Sequence, residues 1–79
     1  MEGPADRAEA LILHSQFLLE HWTIAASQGD TKTVLQAISY EIDRLQELAV
    51  ERPDLGPRIS EVIGDWLLLH RRTRLRALN

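Results

Sequence analysis

Ala8–Ala26 reads AEALILHSQFLLEHWTIAA, and the two-sided character of this stretch decides what kind of helical domain the chain can form. At about 100° per residue, its apolar residues fall into two stripes rather than one. The broad stripe is Ala8, Leu11, Ile12, Ser15, Leu18, Leu19, Trp22 and Ala26, spaced by threes and fours as a core-facing helix requires. The narrower stripe is Ala10, Leu13, Phe17 and Ile24. Glu9, Gln16, Glu20 and Thr23 fence it on one side, and His14 and His21 on the other. A lone three-helix domain has use for the first stripe and none for the second.

Working outward, Pro4 suits a first helical turn, where its missing N–H would be unpaired anyway, and Asp6 and Glu9 place negative charge at the favourable end of the helix dipole. Met1–Gly3 are expected to fray. The first helix, about residues 5–27, should stop at Gln28-Gly29-Asp30, with Gly29 in the left-handed conformation and Asp30 or Thr31 capping the next helix. So short a link makes the first two helices antiparallel neighbours. The second helix, about 31–50, carries Val34, Leu35, Ile38, Ile42, Leu45, Leu48 and Ala49 on one face, with Glu41 at the edge, expected to reach solvent or pair across the helix interface. Tyr40 lies off that face, either as a scattered surface aromatic or as part of a patch with Phe17. Glu51-Arg52-Pro53-Asp54-Leu55-Gly56-Pro57 is the clear break, because two prolines and a glycine so close together cannot continue a helix. A third helix, about 57–75, should begin at Pro57 with Gly56 as its cap. Ile59, Val62, Ile63, Trp66, Leu67, Leu69 and His70 share one side of it, while Leu68 and Leu75 point away.

The fold class is therefore all-α, with residues 1–79 as a single helical domain: a three-helix bundle, or a helical hairpin whose third helix reaches toward a second subunit. At 79 residues the core is thin and supplies only about 3–5 kcal/mol. The chain has no cysteine to staple it, which fits a reducing, cytoplasmic setting and leaves association as the route to more burial. A homodimer is the simplest expectation. The longest apolar runs, Leu11–Leu13, Phe17–Leu19 and Trp66–Leu69, fall far short of a membrane span, and MEGPADRAEAL lacks the basic start of a secretory signal.

The formal charge of −3 hides an asymmetry: every acidic residue lies at or before Asp65, whereas Arg71, Arg72, Arg74 and Arg76 crowd the end. Cations there offset a helix dipole, or form a basic tip that docks on an acidic patch. Nucleic-acid binding through this cluster is the alternative reading. It is weakened by a helix-to-helix connector longer than a helix-turn-helix has, and by Glu61 and Asp65 in the turns that would enter a groove. Catalytic chemistry is not expected. No hydroxyl sits in a nucleophile elbow, Ser15 is expected to bond back to its own helix, and the glycines are isolated rather than gathered in a phosphate loop. Gly64, inside the third helix, marks either a close helix contact or tolerance. His14 and His21, seven residues apart, are separated by roughly 10.5 Å along a helix, too far to share a metal ion. No metal, cofactor or small-molecule substrate is anticipated. The two histidines flank Phe17, where they would make an interface sensitive to pH near their titration range.

The sequence thus points to a small protein–protein interaction module, a regulator, inhibitor or adaptor. Leu13, Phe17 and Ile24 are its candidate anchors, and Leu68, Leu75, Arg71, Arg72 and Arg74 its secondary contacts.

Overall fold

The computed structural model describes residues 4–78, with side chains from Arg7 onward. The fraying expected of residues 1–3 lies outside the described residues. Among these, three α-helices follow in order: α1 (Pro4–Ser27), α2 (Thr31–Glu51) and α3 (Gly56–Ala77). They form a three-helix bundle without strands among the described residues, and none of the helices is long and apolar enough to cross a membrane.

Gly29 ends α1 as its sequence requires, with φ at 97°, a conformation that an L side chain resists. Its N–H bonds to the carbonyl of Ala26 at 3.2 Å. Asp30 occupies the cap position of α2 but makes no side-chain cap hydrogen bond. The Val34 N–H instead reaches the Asp30 carbonyl at 3.2 Å.

The second connection is tighter than its prolines and glycine suggest. The helical path breaks only at Arg52 (φ −128°, ψ 73°), whose N–H still bonds to the Leu48 carbonyl at 2.8 Å. Pro53–Leu55 then form a 3₁₀ turn, and Gly56 is already helical (φ −48°, ψ −48°), so it opens α3 rather than capping it. Proline is compatible with this because both Pro53 and Pro57 fall in first turns, where no N–H is needed. Arg52 clamps the turn with two hydrogen bonds to Asp54, at 3.0 and 2.6 Å. That hydrogen bond holds the Asp54 carboxyl below the ordinary carboxylate range.

The core is one cluster drawn from all three helices: Ala8, Ile12 and Ala26 of α1, Val34, Ile38, Leu45 and Leu48 of α2, and Ile59, Val62, Trp66 and Leu69 of α3. The helix α1 is antiparallel to α2 and parallel to α3. Two contacts fix the latter: Arg58 reaches Glu9 at 3.4 Å, and the Trp66 indole N–H donates to Ser15 Oγ at 2.9 Å. Ser15 therefore does not act as expected. It serves as acceptor for a wholly buried tryptophan, because an indole N–H out of water needs a partner and a small hydroxyl on the facing helix supplies one.

Two further expectations are corrected. Leu67 is 53% exposed, because α3 buries Ile59, Val62, Trp66, Leu69 and Thr73, and a residue one step past Trp66 is turned about 100° away from that row. Glu41 is buried rather than at the solvent edge, and its carboxylate meets Arg44 of its own helix at 3.5 Å. The bundle measures 47 × 21 × 15 Å, with a radius of gyration of 13.5 Å, against roughly 11.5 Å for a globular chain of this length. Such a slender shape leaves much surface outside the core.

The Trp66–Ser15 bond yields a direct test. Ser15→Ala removes the acceptor and strands the indole N–H, which should cost about 1–3 kcal/mol. In urea unfolding the midpoint should fall clearly. An unchanged midpoint would show that this hydrogen bond does not hold α1 in place.

Candidate functional site

Ile12 and Leu13 are neighbours in sequence and opposites in environment: Ile12 is 1% exposed and Leu13 59%. The same division runs the length of α1. Ala8, Ile12, Ser15 and Ala26 are buried, Leu19 and Trp22 are half-buried between them, and these six keep the four-three spacing of a single face. Phe17 at 67% and Ile24 at 61% join Leu13 on the opposite side, with Ala10 also exposed. The narrow stripe of the sequence is thus a solvent-facing apolar row, reached by no side of the chain's own core. Leu11, Leu18 and Ala25 are half-buried along the flank of α1.

Polar residues border that row as the sequence placed them. Glu9, Gln16, Glu20 and Thr23 are exposed on the side toward α3, where Glu9 meets Arg58. His14 and His21 are exposed on the other side, and the His21 ring stands edge-on to Trp22 at 4.9 Å between centroids.

On α3, Leu68 and Leu75 are exposed as expected, and so are Arg71, Arg72, Arg74 and Arg76. Arg74 and Arg76 occupy the last turn, where positive charge offsets the helix dipole. The Leu78 N–H closes that turn on the Arg74 carbonyl at 3.2 Å. Thr73, among these arginines, is fully buried and donates its hydroxyl to the Leu69 carbonyl at 2.7 Å. Tyr40 is an exposed aromatic of α2, with the Arg44 guanidinium 5.6 Å from its ring centroid.

Glu41 and Arg44 also line a cleft with Leu11, Ser15, Leu45 and Leu48, where α1 crosses α2. At about 30 Å³ it has room for a water or two, not for a substrate. The leucines, phenylalanine and isoleucine exposed on α1 and α3 are side chains that would gain free energy by leaving water.

No protein-family model, curated protein or solved structure matches the chain.

If the two sides of α1 are as separate as their exposure indicates, paired substitutions will show it. Ile12→Ala should lose about 2–5 kcal/mol by leaving a cavity. Leu13→Ser, one residue away, should change the stability of the protomer by no more than about 0.5 kcal/mol, measured at dilution by denaturant unfolding. Comparable losses from both would place Leu13 in the core.

Proposed function

We propose that this chain is a helical protein–protein interaction module, a regulator, inhibitor or adaptor that works by covering the surface of a partner protein. The observation that carries the reading is the exposure of Leu13, Phe17 and Ile24 on the face of α1 opposite its core row. A slender helical bundle gains nothing from three large apolar side chains in water, and contiguous apolar surface of this kind marks a contact site.

Burying the row with Ala10 would return roughly 4–8 kcal/mol before the costs of association, enough for a dimer or a micromolar complex. Phe17 is the natural anchor, since a rigid aromatic contributes large area at little entropic cost. Leu68, Leu75, Arg71, Arg72 and Arg74 extend the contact on α3. A second copy is the simplest partner, because a two-fold contact adds burial to a chain short of it.

Phe17→Asp tests the reading. Sedimentation of the wild type reads self-association, and affinity capture from its native cell extract reads other partners. The variant should weaken whichever association is found by about tenfold or more, with the far-ultraviolet circular dichroism unchanged. Retention of every wild-type association, or loss of the helical signal, overturns the proposal.

A further inference from the structure

The parallel pairing of α1 and α3 carries a register. The buried Trp66–Ser15 hydrogen bond joins residues 51 positions apart, and the Arg58–Glu9 pair near the start of both helices joins residues 49 apart. An α3 residue 51 positions after an α1 residue therefore stands at about its height. On α1 the outward row is Leu13, Phe17, Glu20 and Ile24, and on α3 it is Gly64, Leu68, Arg71 and Leu75, all exposed. The two rows have the same four-three-four spacing, and each α3 member lies 51 positions after its α1 counterpart.

Three features of these rows are complementary. Each row carries one charged residue, at the same height, Glu20 on α1 and Arg71 on α3. Neither takes part in an ion pair among the described residues. The large Leu13 stands level with Gly64, at which an added Cβ would meet nothing within 4 Å in its own chain, so the protomer does not require glycine there. Phe17 stands level with Leu68, and Ile24 with Leu75.

Both rows also lie on one side of the molecule. Going round α1 from Ser15, the row lies just past Glu9, which meets Arg58 of α3 at the surface. Going round α3 from Trp66 in the opposite sense, the row there lies past Arg58, the partner of Glu9. Parallel helices wind alike, so opposite rotations bring both rows to the face away from α2. On the other side, Leu11 and Ser15 line a cleft with Glu41, Arg44, Leu45 and Leu48 of α2.

We propose that two copies of this chain pair through this face about a two-fold axis running along the helices, α1 of each lying parallel to α3 of the other. The inference rests on the reading of the α1 row as a docking surface and names its occupant. Rotation about such an axis preserves height, so Leu13 meets the partner's Gly64, Phe17 the partner's Leu68, Glu20 the partner's Arg71 and Ile24 the partner's Leu75. Each contact is made twice, as an isologous interface requires.

Pairing α1 on α1 in parallel would instead set Glu20 against the partner's Glu20, and pairing α3 on α3 would oppose the arginines. Among the parallel pairings only the crossed arrangement answers each charge with its opposite. It also places the arginines at the end of α3 beside the stretch of α1 that carries Glu20.

The test is a charge exchange followed by sedimentation velocity. The wild type should be a dimer. Glu20→Arg alone and Arg71→Glu alone should each weaken it by about tenfold or more, because each creates two like-charge contacts by symmetry. An equimolar mixture of the two variants should recover a dimer, since both contacts in the mixed pair again join opposite charges. A monomeric wild type, single variants that stay dimeric, or a mixture that stays monomeric each overturns the crossed pairing. A dimer that Phe17→Asp dissociates but the charge variants do not would overturn this arrangement and leave the docking surface standing. A dimer indifferent to Phe17→Asp removes both.

Discussion

The hydrogen bond from the Trp66 indole to Ser15 Oγ is the constraint through which the three helices acquire a single arrangement. Apolar packing is tolerant of sliding, since leucines and isoleucines fill similar space at adjacent turns. A buried N–H is not: away from its acceptor it forfeits a hydrogen bond in surroundings where water cannot replace it. Ser15 contributes in two ways, by accepting that bond and by being small enough for α1 to approach the largest side chain of the core. The helix α2 is joined to each neighbour by a short connection, but α1 and α3 are not adjacent in sequence. Their mutual height is set across the core by this bond and, at the surface, by Glu9 and Arg58.

Glu41 and Arg44 show how α1 and α2 are adjusted around that bond. A carboxylate as enclosed as that of Glu41 needs a counter-charge, and Arg44 supplies it from one turn along the same helix. The guanidinium also lies over Tyr40, so one arginine neutralises an inward acid and caps an outward ring. Such a pair adds little net stability, because desolvation cancels much of the attraction. What it does is make the cleft beneath Leu11 and Ser15 polar.

Helix number, order and the places of the two links were legible in the sequence because they depend on local rules: the 3.6-residue periodicity, a glycine able to take positive φ at position 29, and prolines confined to first turns. The two faces of α1 were legible for the same reason, being a property of one helix. Features that depend on where the helices meet were not. Ser15 looked like a residue satisfied within its own turn, and Glu41 like an edge residue, because residue type does not say which polar group will find a partner inside. Leu67 passed for a core residue because hydrophobicity alone was weighed against a position one step off the buried row. Thr73 was hidden among arginines, although it extends the spacing of Ile59, Val62, Trp66 and Leu69 by one more turn. The correspondence between the outward rows of α1 and α3 could not be seen at all without the height that the Trp66–Ser15 bond sets.

The three helices divide their surfaces unequally, and the inequality has a physical origin. The helix α2 has one buried row, and most of its remaining surface is polar, so the protomer alone satisfies it. Each of the other two has a buried row and an exposed apolar one on separate sides. The core and the exposed apolar surface are thereby made by different residues: Ile12, Ser15 and Trp66 hold the bundle together, while Leu13, Phe17, Ile24, Leu68 and Leu75 have no part in its core. A bundle this thin cannot have both sides of α1 inside, since a third layer would have to come from chain that the three helices do not provide. Selection for the fold alone would let the outer rows drift to charged residues, which improve solubility and leave the core untouched. The outward row of α1 holds three large apolar residues and a glutamate, and that of α3 two leucines, a glycine and an arginine, so the pairing proposed above would bury both rows and leave the core as it is.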